Sequence, residues 1–279
     1  MKKIAIGIPI YNEEKNLNKV LENVLLQKYA DKEVIISDNN SSDKSEEICK
    51  QYVKKYKFIK YYRQKKTIDI FKNYNFVLQK SKSKYFIWQA ADDLRSKNFL
   101  IRNINFLEKN PSFVASTGIS VLNKKKFFNN IINFNLSGNL YQRLFNFFKY
   151  KWVSRGIFDS VVRASILKNF PFNNHKNYFA KDWTIILFLL SYGKINRDKL
   201  SRAYFGSNGL SFRRHTLKLQ RFKKKNNYIE TIFPFFYFSK NSIFLYKEHS
   251  AIIKLFLIFN LILLNFISGL KLIIKNFKN

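Results

Sequence analysis

Between residues 4 and 122, short apolar runs alternate with stretches of helical spacing, and this alternation limits the possible folds more than any other feature of the chain. A strand that is apolar along its whole length must be covered on both faces, and helices returning between parallel strands supply the cover. Residues 4–10 (IAIGIPI) read as a first strand. Residues 17–27 carry Leu17, Val20, Leu21, Val24 and Leu25 at helical intervals, and residues 34–37 read as a second strand. Asp43 with Glu46 three residues on predicts a capping box, opening a helix that runs to about Tyr56. Residues 58–62, 85–88 and 113–122 follow as third, fourth and fifth strands, with helical sequence over 75–79. The expected fold class is α/β, a Rossmann-like mixed, mainly parallel sheet flanked by helices.

Residues 123–139 are rich in Asn and Lys and read as a long loop of the kind that often serves as a lid. Order resumes through 157–167 and through 183–190, the latter helical by pattern. A basic stretch over 213–225 leads into a tail of different composition, which places a boundary near residue 210. The expectation is a catalytic domain over 1–210 and a basic amphipathic helical tail over 211–279. After residue 206 there are 13 Lys and Arg, with Glu230 and Glu248 as the acids. The apolar run between Lys254 and Lys271 is 16 residues, broken by Asn260, Asn265 and Ser268, against the roughly 18–20 that a transmembrane helix needs. At about 100° per residue these six positions, counting Lys275, fall within an arc of about 140°. One polar, basic face suits a helix lying on an anionic membrane surface. Packing on the catalytic domain and a true span are the other readings.

The chain carries 51 Lys and Arg against 18 Asp and Glu, a net charge of +33. Such a charge draws a protein to nucleic acid or to anionic lipid. Lys, Asn, Ile and Phe are all favoured by AT-rich coding sequence, so part of the excess reflects codon usage. The basic residues are spread along the chain, no nucleic-acid module is recognisable, and carboxylates gather where a phosphate backbone would be repelled, so no nucleic-acid partner is expected; a basic nucleic-acid-binding protein is the alternative class. The single cysteine, Cys49, excludes a disulfide framework and a cysteine metal site. The N-terminus reads as a strand and not a signal peptide. Together these place the chain in the cytoplasm, peripheral on the inner face of the cell membrane.

Acids are scarce, so their positions are informative. Nine of the 18 fall in the first 50 residues. In open α/β sheets ligands bind beyond the carboxyl ends of the strands, where Asn12 and Glu13 follow the first strand and Asp38 the second. A carboxylate there can accept a hydrogen bond from a nucleobase or a ribose hydroxyl, while Asp38-Asn39-Asn40-Ser41 is equally ordinary turn sequence. Asp92 and Asp93 follow the fourth strand as adjacent like charges, which a divalent cation would neutralise while gripping a diphosphate; a helix cap by Asp93 is the plainer reading. Asp182 opens an apolar helical stretch, fitting an N-cap and equally a general base. Spacing does not decide between them. A lysine beside it, Lys181, would favour the charged carboxylate and lower its basicity if the two are close.

Gly7-Ile8-Pro9-Ile10-Tyr11-Asn12-Glu13-Glu14, a helix, and then Glu33 to Asp43 with Asp38 inside it resemble the N-terminal signature of glycosyltransferase family 2 in both order and spacing. Tyr85 to Asp93 occupies the place of that family's metal-binding Asp-x-Asp motif, and Lys181-Asp182-Trp183 resembles its catalytic acidic pair. The resemblance is strong over the first 120 residues and looser to about 210. It implies a GT-A fold and inverting, single-displacement transfer from a nucleotide-diphosphate sugar, UDP-sugars favoured, to a hydroxyl of a cell-surface glycan or lipid-linked acceptor. Pro9, Tyr11, Asn12, Glu13, Asp38, Asp92 and Asp93 would bind the donor, with Tyr11, Glu13 and Asp38 on the base and ribose. Asp92 would hold Mn2+ or Mg2+, and Asp182 would deprotonate the acceptor. Two positions depart from the family pattern: Ala90 stands where an aspartate is usual, and Lys181 where a glutamate is usual. The first leaves the metal one carboxylate short, with His215 a candidate to complete its shell, and admits a degenerate transferase that binds donor without turnover.

Overall fold

A computed structural model describes residues 3–122, 134–150, 156–172, 178–206, 229 and 233–276, with Leu122 and the last six as backbone. Among these residues, eight strands form one sheet in the order β3-β2-β1-β4-β7-β6-β8-β5. They are β1 (Ile4–Ile10), β2 (Lys32–Asp38), β3 (Ile59–Arg63), β4 (Tyr85–Trp88), β5 (Leu94–Arg95), β6 (Phe113–Leu122), β7 (Val161–Arg163) and β8 (Lys194–Phe205). The strands β3-β2-β1-β4 run parallel, and β7 is antiparallel to both of its neighbours, β4 and β6. The helices are α1 (Glu14–Leu25), α2 (Ser45–Lys55), α3 (Ile70–Lys80), α4 (Phe99–Lys109), α5 (Leu140–Tyr150), α6 (Ala164–Lys168), α7 (Lys181–Tyr192), α8 (Phe236–Leu245) and α9 (Ala251–Asn276). The expected α/β class, with a mainly parallel sheet flanked by helices, is the class observed.

The two faces of β1 feed two cores. Ile4, Ile6, Ile8 and Ile10 join Leu17, Leu21, Val34 and Ile36 under α1 and α2, whereas Ala5 joins Val77, Phe86 and Trp88 on the other face. This is the period-two division that a strand buried on both sides imposes. Gly7 lies on the second face, where an added Cβ would come within 2.5 Å of the Phe86 ring and 2.7 Å of Val77, so α3 sits directly on the strand backbone. Cys49 on α2 is fully buried in the first core, and burial, with Asp38 nearby, pushes its thiol up to about 12.

Several boundaries differ from expectation. Helix α3 begins at Ile70 instead of residue 75, because the Asp69 carboxylate accepts from the backbone N–H groups of Phe71 and Lys72 and caps it. The capping box at Asp43 is not formed: Asp43 accepts instead from Ser45 N at 3.0 Å and Glu14 N at 2.9 Å, while Glu46 pairs with Lys50 and Arg63. The boundary expected near residue 210 lies outside the described residues, as does most of the expected loop over 123–139.

The tail helices α8 and α9 join the core that lies under α5 and α7. Tyr246 is fully buried and donates to Leu187 O at 2.7 Å. Leu257, Leu261 and Leu264 of α9 are buried in the same cluster. The polar arc read from the sequence turns inward at two of its members, since Asn265 and Ser268 are 6% and 5% exposed. Hydrogen bonds make this tolerable: the Asn265 carbonyl accepts from Phe235 N at 2.9 Å, and its amide donates to Ser239 Oγ at 2.9 Å. The face turned to solvent is apolar instead, with Ile252, Leu255, Phe259, Ile262 and Phe266 all 60% exposed or more. By length and composition alone, Ala251–Leu270, with a mean hydropathy of 2.2, would suffice to cross a membrane.

Candidate active site

The first half of the rim is built by the loops that follow β1, β2 and β3. Pro9 pairs in register with Ser37 of β2 beyond the last β1–β4 pair, so its missing N–H leaves no gap in that ladder. Asn12 adopts a left-handed backbone (φ 55°), as Asn tolerates, and its side-chain carbonyl accepts from Ser42 N at 2.8 Å. Asn12 N donates to Ser41 Oγ and Glu13 N to Ser45 Oγ, both at 2.9 Å. These bonds lace the β1 loop to the β2 loop, leaving Tyr11 exposed beside them. Asp38 is fully buried: Oδ1 accepts from Ser41 N at 2.8 Å, and Oδ2 from the Tyr61 hydroxyl at 2.8 Å and Arg63 Nη1 at 2.9 Å. Burial first and Asp38 second push the Tyr61 hydroxyl well above its usual range, which keeps it a donor. Arg63 also donates to Ser41 O at 2.8 Å, placing a cation on the rim that the sequence reading did not single out.

The other half lies beyond β4. Trp88 stacks on Phe158 at 4.7 Å and donates to Tyr74 O at 3.0 Å. Arg95, 4% exposed, reaches back under this end of the sheet to donate to Trp88 O at 2.9 Å, to Asp159 O at 3.3 Å and to the Gln89 carbonyl. Gln89 in turn donates to Asp93 O at 2.7 Å. The Asp93 carboxylate is buried and accepts from Gly206 N at 2.9 Å. Burial, and next the charge of Asp159, raise its carboxyl, against the pull of the Gly206 N–H and Arg95. Asp159 is raised in the same way by burial and by Asp182 and Asp92, with Arg95 opposing. Four aspartates, Asp92, Asp93, Asp159 and Asp182, therefore share one electrostatic field, and Tyr74 feels all four. Glu13, raised mainly by burial, also feels Asp92 and so ties the two halves of the rim together.

Asp182 occupies the first turn of α7, after a left-handed Ala180 (φ 65°). The Lys181 ammonium is buried on the other side, donating to Phe172 O at 3.3 Å over the rings of Phe71 and Tyr178, and its strongest ionic neighbour is Asp69.

Asp92 Oδ2 is buried and has no hydrogen-bond partner among the described residues. A buried acceptor left unpaired is costly unless something completes it. No group of three or more acidic, His or Cys side chains placed to hold an ion occurs among the described residues. Mn2+ or Mg2+ that is shared with a diphosphate needs only one or two carboxylates, because phosphate oxygens and water complete the shell, so Asp92 fits that role. His215 lies outside the described residues. Gly206 presses on the same group: an added Cβ would stand 2.4 Å from Asp92 O and 2.5 Å from its Oδ2. Gly206→Ala is accordingly expected to displace Asp92 and weaken metal-dependent nucleotide binding about tenfold, for roughly 1.4 kcal/mol, as a calorimetric titration would register. Of the site residues expected from the sequence, Asp92, Asp93 and Asp182 all act on Tyr74 by charge and Glu13 feels Asp92, while Asp38 belongs to the Tyr61–Arg63 network. Asp159, Arg95 and Gly206 were missed; for Asp159, the scarcity of acids was a usable signal.

The glycosyl transferase family 2 model matches residues 5–175. The minor teichoic acid biosynthesis protein GgaB of Bacillus subtilis is 27% identical over 119 residues, covering 42% of this chain and 13% of that protein. The chain spans less than half the length of the first curated relatives it matches. Among solved structures, S. aureus TarS 1–349 in complex with UDP-GlcNAc aligns with a TM-score of 0.58 at 17% identity, covering 88% of this chain and 66% of that one. The mannosyltransferase PcManGT of Pyrobaculum calidifontis, in complex with GDP-Man and Mn2+, aligns with a TM-score of 0.57 at 12% identity, covering 93% and 72%. The fold is thus GT-A, and with the family model matching more than half of its residues, the chain belongs to glycosyl transferase family 2.

Proposed function

We propose that the protein is an inverting glycosyltransferase that moves a sugar from a nucleotide-diphosphate sugar, a UDP-sugar, to a hydroxyl of a cell-surface glycan or lipid-linked acceptor at the cytoplasmic face of a membrane. The observation that carries this reading is the buried, unpaired Asp92 Oδ2 beyond β4, and the charge that Asp159 feels from both Asp92 and Asp182 supports it. Tyr11, Asn12 and Glu13, with Pro9 beneath them and Asp38 behind, form the nucleoside side. Asp92 holds the metal, which when bound neutralises diphosphate charge, and Asp93 stiffens the loop through Gly206. Asp182 takes the proton from the acceptor hydroxyl as its oxygen bonds to C1 of the sugar and the bond from C1 to the diphosphate breaks. The UDP-GlcNAc held by TarS and the teichoic acid role in GgaB's name support the donor and the acceptor class. The exposed apolar face of α9 supports the membrane location. Calorimetric titration with UDP and Mn2+ tests the donor site: Asp92→Ala is expected to weaken Mn2+-dependent UDP binding by about tenfold or more. An unchanged titration would remove Asp92 from the metal.

A further inference from the structure

Taking Asp182 as the base, we propose that α9 lies flat on an anionic bilayer with its exposed apolar face in the headgroup layer, and that this contact orders the turn carrying Asp182. The proposal rests on the functional reading above but is tested separately from it.

Helix α9 has two unlike faces. Leu257, Leu261, Leu264 and Asn265 are 6% exposed or less, and their contacts hold the helix against the body of the protein. Ile252, Leu255, Phe259, Ile262 and Phe266 are between 60% and 74% exposed. A span would have to strip off the inner face and leave the Asn265 bonds unmade, so only the outer face is available to lipid. The Ala251–Leu270 stretch is about 30 Å long at 1.5 Å per residue, ample for a helix lying in the interface. The aromatic edge of this face extends onto α5, where Tyr141 is 46% and Phe145 49% exposed and the Tyr141 ring lies 4.2 Å from Phe256 of α9. Tyr and Phe on the rim of an apolar face suit the boundary between water and hydrocarbon.

Charge selects lipid over a second copy of the chain. The sequence from 251 to 279 contains no acid, and the whole chain carries +33. Docking a second copy would bring two chains of the same large positive charge together, whereas an anionic headgroup layer attracts that charge.

The inner face connects this surface to the site. Asn265 Oδ1 accepts from Phe235 N at 2.9 Å. The Phe235 ring stacks on Trp183 at 5.6 Å with 14° between planes and meets Phe179 at 5.0 Å. Phe179 and Trp183 flank the left-handed Ala180 and Asp182, so pinning α9 pins both sides of the base.

Flotation with phosphatidylglycerol-containing vesicles, combined with hydrogen–deuterium exchange, tests both halves. The full chain is expected to float with these vesicles and not with neutral ones, and exchange over residues 178–187 is expected to slow on binding. The double substitution I262S/F266S, confined to the outer face, should abolish flotation. Asn265→Ala should still float while 178–187 no longer slows. If that variant does not fold, the wild-type exchange result alone decides the relay. Failure of the full chain to float, or a dimer dissolved by I262S/F266S, overturns the lipid surface; flotation without slowing over 178–187 overturns the relay. Transfer retained by Asp182→Asn would sink the base assignment and leave these measurements intact.

Discussion

Asp182→Asn is expected to lower the rate of sugar transfer by about 100- to 10,000-fold and to leave donor affinity unchanged. The carboxamide keeps the size and shape of the carboxylate but cannot take up the acceptor proton. The position is on the first turn of α7, where the field of a helix N-terminus favours a carboxylate. Losing the favourable contact with the helix N-terminus costs about 0.3–1 kcal/mol, too little to unfold the protein. Transfer of a labelled sugar in a membrane-supplemented assay, with calorimetry of UDP binding alongside, separates the two effects. Equal losses in both would show that Asp182 holds donor, not the acceptor proton.

Arg95→Met should give the largest loss of stability. The guanidinium is 4% exposed and binds the carbonyls of Trp88 and Asp159 as well as Gln89, and its charge offsets Asp93 and Asp159. Removing one member of a buried ionic set leaves the others uncompensated, at a cost of about 3–5 kcal/mol. For a chain of this size that corresponds to a fall in melting temperature of about 10 °C. Adding Asp159→Asn should restore part of the loss, since it removes one of the carboxylates left unpaired. A double variant no more stable than Arg95→Met would show that the arginine acts through its carbonyl contacts alone.

The parallel half of the sheet was legible because β1, β2 and β4 are buried throughout and their apolar runs advertise it. Strand β8 was not, although it pairs along most of β6. Its inward positions include Arg197 and Ser201, 5% and 0% exposed, so the alternation is present in burial but absent from hydropathy. Arg197 is tolerated there because it donates to Gly118 O at 2.8 Å and Ser120 Oγ at 3.0 Å. Strand β5, two residues long, is too short to leave a pattern. At the site, acids placed after strands could be read directly. Gly206 could not, since β8 returns to the rim from far along the chain and nothing local marks its destination; Asp159 had only its rarity as an acid to mark it, with no local sign of where β7 would bring it. Lys181 turns inward next to a left-handed Ala180, a conformation that no residue preference announces there.

The burial of Cys49 has a practical side. With its thiol fully covered and raised to about 12, almost none of it is thiolate at neutral pH, and thiolate is the form that reacts with alkylating probes. A cysteine introduced on the surface, at Ile262 for example, would therefore be labelled while Cys49 stays untouched. Spin labels or fluorophores can report on either end of the molecule without first building a cysteine-free background.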